Sequence, residues 1–434
     1  MHLKRFLNGP LQDKHGGTAA LRTVVADYLG KEECEIDAVE EKTSTPAYSL
    51  IKSSCSLFPY QEDIKQQVVS LVDAREKSAA LASLPTGGGK TRTAIEIFHE
   101  LSVRRQCRML WVAPSRELVD QAADTVKDLW DRFSGRENVH LYCHSIGSSH
   151  ADDAVASFIT VQKAVKDIRS MVAYNPTLFV FDEAHFAPAT SFARVVSAIK
   201  DQTDAFVLGL SATPGRTGGD ENSLLSLFEN CLITPKNMGK NPVEFLREQK
   251  VLARMEMNTI PLPEVWDKVR VKDPKARGLT NEELAIQPAR FWATIDTLKN
   301  MDERCKCLVF AEDLVHSEVL AAVAKQMGLS AETISYKTAP AKRKSVLDRF
   351  ESGDIQFLMN KTLLATGYDC PSITDIVLAT PVRSPILWEQ MLGRVSRGPA
   401  VGGTSIGRVW ELDGHREMHG SVLSYARYRG EYWG

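Results

Sequence analysis

From about residue 51 the apolar positions fall in short unbroken runs separated by longer amphipathic stretches. Ala79–Leu84, Met109–Ala113, Phe158–Val161, Leu178–Phe181 and Phe206–Leu210 are such runs. They are continuous rather than alternating and rich in β-branched and aromatic side chains, which predicts strands buried on both faces of a parallel sheet. Between them, Thr91–Val103 and Arg116–Phe133 carry helical patterns. A strand–helix–strand rhythm requires right-handed crossovers and predicts a doubly wound α/β domain.

After Pro235 the rhythm breaks. Pro261, Pro263, Pro274 and Pro288 punctuate residues 261–300, which predicts an irregular, partly helical insertion. The rhythm restarts with strands at Cys307–Ala311, Thr333–Tyr336, Ile355–Met359, Ile376–Ala379 and Val409–Leu412. His316–Met327 and Pro385–Val395 are the accompanying helices. The expected organisation is therefore an N-terminal extension and linker over residues 1–50, one α/β domain over 51–234 and a second over 235–434. Within the extension, Leu21, Val24, Val25, Tyr28 and Leu29 have helical spacing ahead of an acidic patch and Thr43-Ser-Thr-Pro46. This piece fits either an arm that docks on a larger assembly or a helix capping the main body.

Composition changes this picture little. Hydrophobic residues make up 43% of the 434 positions and charged residues 25%, as in ordinary globular chains. The net charge of −2 is evenly spread, so any polyanion-binding surface must be local. No apolar run approaches the roughly 18 residues needed to span a bilayer. The start carries two basic residues but no apolar run after them, which argues against a secretory leader. A cytoplasmic protein without a membrane partner is expected. The eight cysteines are scattered, and Cys305-Lys-Cys307 lacks the spacing and second pair of a zinc knuckle, so reduced thiols are expected.

The chemistry concentrates in a few places. Ser83-Leu-Pro-Thr-Gly-Gly-Gly-Lys-Thr91 joins a strand to a helix. Glycines let Thr86, Gly87, Gly88 and Gly89 wrap an anion with their N–H groups. Lys90 neutralises β- and γ-phosphates, and the Thr91 hydroxyl suits Mg²⁺. Leu84 stands where the strict pattern has glycine, and a plain glycine turn is the bland alternative. Leu178-Phe-Val-Phe-Asp182-Glu183-Ala-His185 ends an apolar strand in two carboxylates. Asp182 suits Mg²⁺ held through water, and Glu183 suits a general base. Phe206–Leu210 leads into Ser211-Ala-Thr213, two hydroxyls placed to relay between the acids and a moving part. Gln390, Arg394 and Arg397 share a helical face by spacing. That face is either a solvated basic stripe or a pair of arginine fingers, with Gly393 marking a close approach.

These motifs, in this order, resemble the superfamily 2 helicases and translocases. Phe58-Pro-Tyr-Gln61 is similar to their Q motif, residues 85–91 to motif I and Ala113–Leu118 to motif Ia. Ile159–Gln162 is similar to motif Ic, Asp182-Glu-Ala-His185 to the DEAH form of motif II and Ser211-Ala-Thr213 to motif III. Leu308–Phe310 is similar to motif IV, Asn360–Pro371 to motif V and Gln390–Arg397 to motif VI. The resemblance implies two tandem RecA-like domains, ATP and Mg²⁺ as cofactors, and a nucleic acid as partner. DNA, single-stranded or duplex, is favoured, with RNA as the alternative. It implies Phe58 beside adenine, Gln61 on the base edge, Asp369 at the nucleotide, and His185, Ser211 and Thr213 in coupling. Ser115, Arg116, Thr160 and Thr366 are the expected phosphate contacts. Arg343, Phe350 and Gly353 ahead of Thr366-Gly-Tyr-Asp-Cys-Pro371 look most like bacterial RadD proteins and type III restriction motor subunits. The implied activity is an ATP-driven helicase or translocase. A duplex translocase that does not unwind, and an ATP-gated binding clamp, are the alternatives. The tail Tyr425–Trp433 fits either base stacking or packing back on the second domain.

Overall fold

A computed structural model describes residues 56–261 and 288–412 together with 414, 415 and 419, excluding 106, 131–139, 145, 147–154, 187–189, 213–223, 225 and 240. The N-terminal extension, Thr213, most of the expected insertion and the aromatic tail lie outside the described residues. Contacts divide the chain into two compact units, with the break between Leu252 and Ala253 and with Thr366–Asp369 grouped with the first unit.

The first unit runs α1 (Pro59–Ala74), β1 (Ala79–Ser83), α2 (Lys90–Arg104), β2 (Arg108–Ala113), α3 (Arg116–Trp130), β3 (His140–Cys143) and β4 (Val155–Thr160). It continues through α4 (Val161–Lys166), α5 (Ile168–Tyr174), β5 (Leu178–Asp182), α6 (Thr190–Gln202), β6 (Phe206–Ser211), β7 (Leu232–Ile233) and α7 (Pro242–Glu248). The strands form one parallel sheet in the order β3-β4-β2-β5-β6-β1-β7. Strands β1, β5 and β6 are buried at every position. Their continuous apolar runs satisfy helices on both faces, with Phe179 and Phe181 packing among Val195, Val196 and Ile199 of α6. Each such fully buried side chain is worth about 1.5–3 kcal/mol.

The second unit contains β8 (Arg254–Thr259), α8 (Pro288–Lys299), β9 (Cys307–Phe310), α9 (Leu314–Gln326), β10 (Ala331–Thr333) and α10 (Pro340–Ser352). After these come β11 (Phe357–Asn360), β12 (Asp375–Leu378), α11 (Pro385–Leu392) and β13 (Ile406–Glu411). The sheet is again parallel, in the order β10-β11-β9-β12-β13-β8. Residues 288–299, expected within an irregular insertion, form a regular helix. Its Phe291, Ile295 and Leu298 are core residues packed with Val319, Leu320 and Val323 of α9. The strand β8 was not expected. Its sequence Arg-Met-Glu-Met-Asn-Thr alternates in exposure and, among the described residues, pairs along one side only, with β13. Such an edge strand lacks the apolar run that marks a central one.

One buried titratable group stands out in this unit. His316 lies in the first turn of α9, where Asp313 Oδ1 accepts its backbone N–H at 2.7 Å and Glu312 N–H donates to its ring Nδ1 at 3.3 Å. An acceptor Nδ1 requires the neutral ring. Burial pushes the imidazole down to about 4; Asp313 opposes this and the Arg290 guanidinium adds to it. The native group is thus depressed below its unfolded value of 6.5. Its contribution is fully present above that value and is lost as pH falls toward 4, by up to about 1.4 kcal/mol per unit. Urea unfolding at pH 7 and pH 5 should therefore show a smaller loss of stability in His316→Gln than in wild type. Equal losses would remove His316 from the pH response.

Candidate active site

In the first sheet the register brings three chain segments to one edge. Ser83 at the end of β1 pairs with Ser211 of β6, and Asp182 at the end of β5 pairs with Leu210. The glycine loop leaves β1 at this edge. Gly87 and Gly89 adopt φ of 87° and 81°, a left-handed backbone open to glycine at little cost. A Cβ on Gly88 would come 3.0 Å from Pro85 O, and one on Gly89 2.3 Å from Gln61 Nε2. The loop is therefore a cradle shaped by absent side chains. It ends at Gly89, the N-cap of α2, so Lys90 and Thr91 occupy the first two helical positions, where N–H groups lack intrahelical partners. Thr86, Gly87, Lys90 and Thr91 are all half-buried. Ser83 Oγ, fully buried at the foot of the cradle, has no hydrogen-bond partner among the described residues.

A second segment braces the cradle. Phe58 caps α1, and its N–H donates to Gln61 Oε1 at 3.0 Å, which fixes the amide orientation. Gln61 Nε2 then donates to Gly88 O at 3.2 Å, and Tyr60 Oη to the same oxygen at 3.1 Å. Gln61 was expected on a base edge; its amide here is engaged by Phe58 and the loop. Tyr60 was not singled out from sequence. Its ring stacks on Phe58, with centroids 5.7 Å apart, and the Phe-Pro-Tyr-Gln run was the available signal.

The acids follow β5. Asp182 is buried, and its Oδ1 accepts the Glu183 N–H at 3.0 Å. Burial, with the Glu183 carboxylate second, pushes Asp182 up to about 7, opposed by the Lys90 ammonium. Glu183 has φ of 52°, a left-handed conformation that turns the chain out of the strand. Its Oε2 lies 3.3 Å from His185 Nδ1, and that nitrogen is also 3.3 Å from Ser211 Oγ. The imidazole thus links the ends of β5 and β6. A cradle that a Cβ would fill, a helix N-terminus carrying a lysine, and a buried carboxylate beside that lysine fit a phosphate chain with a divalent cation.

Farther along the same edge, Ala113 of β2 pairs with Thr160 of β4. Ser115 Oγ accepts the Leu118 N–H at 3.3 Å at the start of α3, and Thr160 Oγ1 accepts the Lys163 N–H at 3.4 Å at the start of α4. Gln162 Nε2 ties the two starts together through Pro114 O at 3.2 Å. Both hydroxyls cap helices, and the exposed Arg116 stands beside them. Thr160 and Gln162 line a surface pocket of about 560 Å³ with Lys163, Lys166 and Asp167.

Thr366 and Asp369 lie in the turn after β11, in the segment grouped with the first unit, the former half-buried and the latter exposed. Gln390 and Arg394 are nearly buried. The helix expected to run through Val395 stops at Leu392, so Gln390, Arg394 and Arg397 do not share a helical face. Gly393 is its C-cap, with ordinary right-handed torsions, rather than an interior residue. Beyond it the turn tightens, with Arg394 N–H and Val395 N–H donating to carbonyls three residues back. Arg394 Nε donates to Gln390 O at 3.2 Å and Arg397 Nη1 to Gly393 O at 3.0 Å. Both guanidiniums thereby return to the negative end of the helix.

Residues 54–216 match the family described as type III restriction enzyme, res subunit. Residues 290–398 match the helicase conserved C-terminal domain. The chain belongs to the superfamily 2 helicases. Relatives of this superfamily 2 chain include the DNA 3'-5' translocase XPB2 of Sulfurisphaera tokodaii, 22% identical over 397 residues covering 84% of each chain. The type I restriction enzyme EcoKI endonuclease subunit of Escherichia coli is 27% identical over 400 residues, 80% of this chain and 33% of that one. The chain spans between 48% and 61% of the length of other curated relatives it matches. Among solved structures, the ATP-dependent type ISP restriction-modification enzyme LlaBIII bound to DNA aligns with a TM-score of 0.61 at 15% identity, over 86% of this chain and 29% of that one. The two parallel-sheet units are the tandem RecA-like domains of the superfamily 2 fold.

A feature that sequence reasoning passed over holds Arg397. Thr404 N–H donates to Arg397 O at 3.0 Å, and a Cβ on Gly403 would come 2.1 Å from that same oxygen. Backbone on backbone leaves no flexible atom to yield. Gly403→Ala should lower the urea unfolding midpoint by the equivalent of about 1–3 kcal/mol, the usual cost of overpacking. An unchanged midpoint would show that this contact carries no strain.

Proposed function

We propose that the chain is an ATP-dependent motor on nucleic acid, with DNA as the favoured track. The observation that carries this reading is the convergence of the cradle, Lys90, Asp182 and Glu183 at one edge of the first sheet. Lys90 and the N–H groups around Thr86–Thr91 would hold the phosphates of ATP, and Thr91 with Asp182 would hold Mg²⁺, partly through water. Bound Mg·ATP supplies a phosphoanhydride whose hydrolysis releases the free energy for movement.

The chain's own residues would divide the work. Glu183 accepts the proton of the attacking water, its carboxylate oriented by the left-handed turn at its own position. His185 would pass the state of Glu183 to Ser211 through its two contacts, which gives the coupling a physical path. In the proposed cycle the second unit supplies Gln390, Arg394 and Arg397 to the charge that develops on the phosphates. Phe58 would flank the base and Asp369 the nucleotide.

For the polymer, the capped starts of α3 and α4 offer N–H groups and partial positive charge to successive phosphates, with Ser115, Arg116, Thr160 and Thr366 as contacts. Such contacts fix register without reading sequence, as a motor requires. The names of the relatives support DNA, one being a DNA translocase and one fold neighbour being bound to DNA. The restriction-enzyme relatives support action within a larger assembly.

Phosphate release measured with no polymer, single-stranded DNA, duplex DNA, forked DNA and RNA should be stimulated most by one of the DNAs. No turnover with any of them would overturn the motor reading in favour of an ATP-gated clamp. Glu183→Gln should abolish hydrolysis while keeping ATP-dependent polymer binding; normal hydrolysis would reject it as the base. Arg397→Ala should slow turnover by on the order of 10³-fold with nucleotide affinity nearly intact. A pure polymer-binding defect would instead place Arg397 in the track groove.

A further inference from the structure

The edge strand β3 ends at Cys143, and His144 follows with φ of 60°. Along an extended chain, neighbours 143 and 144 would point to opposite sides. A left-handed residue cancels that alternation, and histidine is among the non-glycine types that accept it more readily. The turn is pinned by His144 N–H donating to Phe158 O at 2.8 Å. Both side chains consequently reach one carboxylate on α3. His144 Nε2 lies 2.7 Å from Asp120 Oδ1, and Cys143 Sγ lies 3.4 Å from the same oxygen. A sulfur, an imidazole nitrogen and a carboxylate oxygen all fall within 4.8 Å of one another.

We propose that Asp120, Cys143 and His144 form a binding site for a zinc-class divalent cation, with water completing the shell. The donor set is the borderline-soft mixture that zinc takes, and the carboxylate brings negative charge to it. Tetrahedral ligands at zinc distances stand roughly 3.3–3.8 Å apart, so small side-chain rotations close the site. Binding replaces the thiol proton by the metal and releases that proton to solvent, leaving a thiolate–metal bond. Among the described residues, Arg116 Nε stands 3.9 Å from the other Asp120 oxygen, leaving Oδ1 to face the sulfur and the imidazole, and Asp124 is engaged by Lys127 at 2.8 Å. The half-exposed position makes the site reachable by added metal. Its effect would be to clip the end of β3 to the helix that begins at Arg116. No part of this depends on the nucleotide chemistry.

The test uses the full chain loaded with Zn²⁺ or Co²⁺ and dialysed against metal-free buffer. Metal content is measured by mass spectrometry and thiolate ligation by the sulfur-to-cobalt charge-transfer band. Wild type and the control Cys231→Ser should retain about one equivalent with that band, as a site with three protein ligands requires. Cys143→Ser should lose the band and the metal. His144→Asn, which keeps a residue tolerant of the left-handed turn, should lose metal with its circular dichroism unchanged. Asp120→Asn provides a second fold-preserving variant should Cys143→Ser fail to fold. Absence of the band in wild type, or equal metal content in His144→Asn and wild type, would overturn the site and leave a hydrogen-bonded cluster.

Discussion

Parallel pairing sends the carboxyl ends of all strands in a sheet to the same edge, and the chemistry of this chain depends on that constraint. Ser83, Asp182 and Ser211 are far apart in sequence, yet the registers pair Ser83 with Ser211 and set Asp182 against Leu210, one residue away along the edge. Strands β1, β5 and β6 are apolar up to their last residue, so their polar groups enter only where each strand stops. Asp182 sits at that boundary, buried enough to be raised to about 7 and near enough to Lys90 for the ammonium to oppose the shift. Under the proposed function a carboxylate in that position would favour a cation beside it, which would join the acid and the cradle into one site.

The cradle is also shaped from outside. Two residues ahead of β1, Tyr60 and Gln61, converge on the single carbonyl of Gly88, and Gly89 can lie against Gln61 only because it has no Cβ. The loop conformation and the start of α1 are therefore mutually dependent. Similar economy holds in the second unit, where Gly403 and Gly407 let backbone close on Arg397 and Val395. Main-chain contact sets the path of the segment that carries the arginines, leaving their side chains to return onto the end of α11.

Along the sheet edge, the hydroxyls of Ser115 and Thr160 are occupied as helix caps. What these positions present outward is the polarised helix start rather than the hydroxyl. Under the proposed function a polyanion would meet these polarised starts, which an evenly spread net charge of −2 does not oppose.

The sequence by itself determined the central strands, because a strand buried on both faces must be apolar at every position. It determined the glycine loop too, since only glycine tolerates such torsions and approaches, and it placed Lys90, Asp182 and Glu183 by their spacing from those strands. It was silent on β3 and β8, short edge strands without an unbroken buried run; in β8 the exposed Arg254 and Glu256 alternate with half-buried Met255 and Met257. The end of α11 at Leu392 was also hidden, because Arg394 and Arg397 keep helical spacing while the backbone has already tightened out of the helix. Only the tertiary structure turned Gln61 onto Gly88, set Gly403 against Arg397 and gathered Asp120, Cys143 and His144. Those arrangements rest on register between distant segments and on a left-handed torsion at a histidine, neither of which leaves a local pattern in the chain.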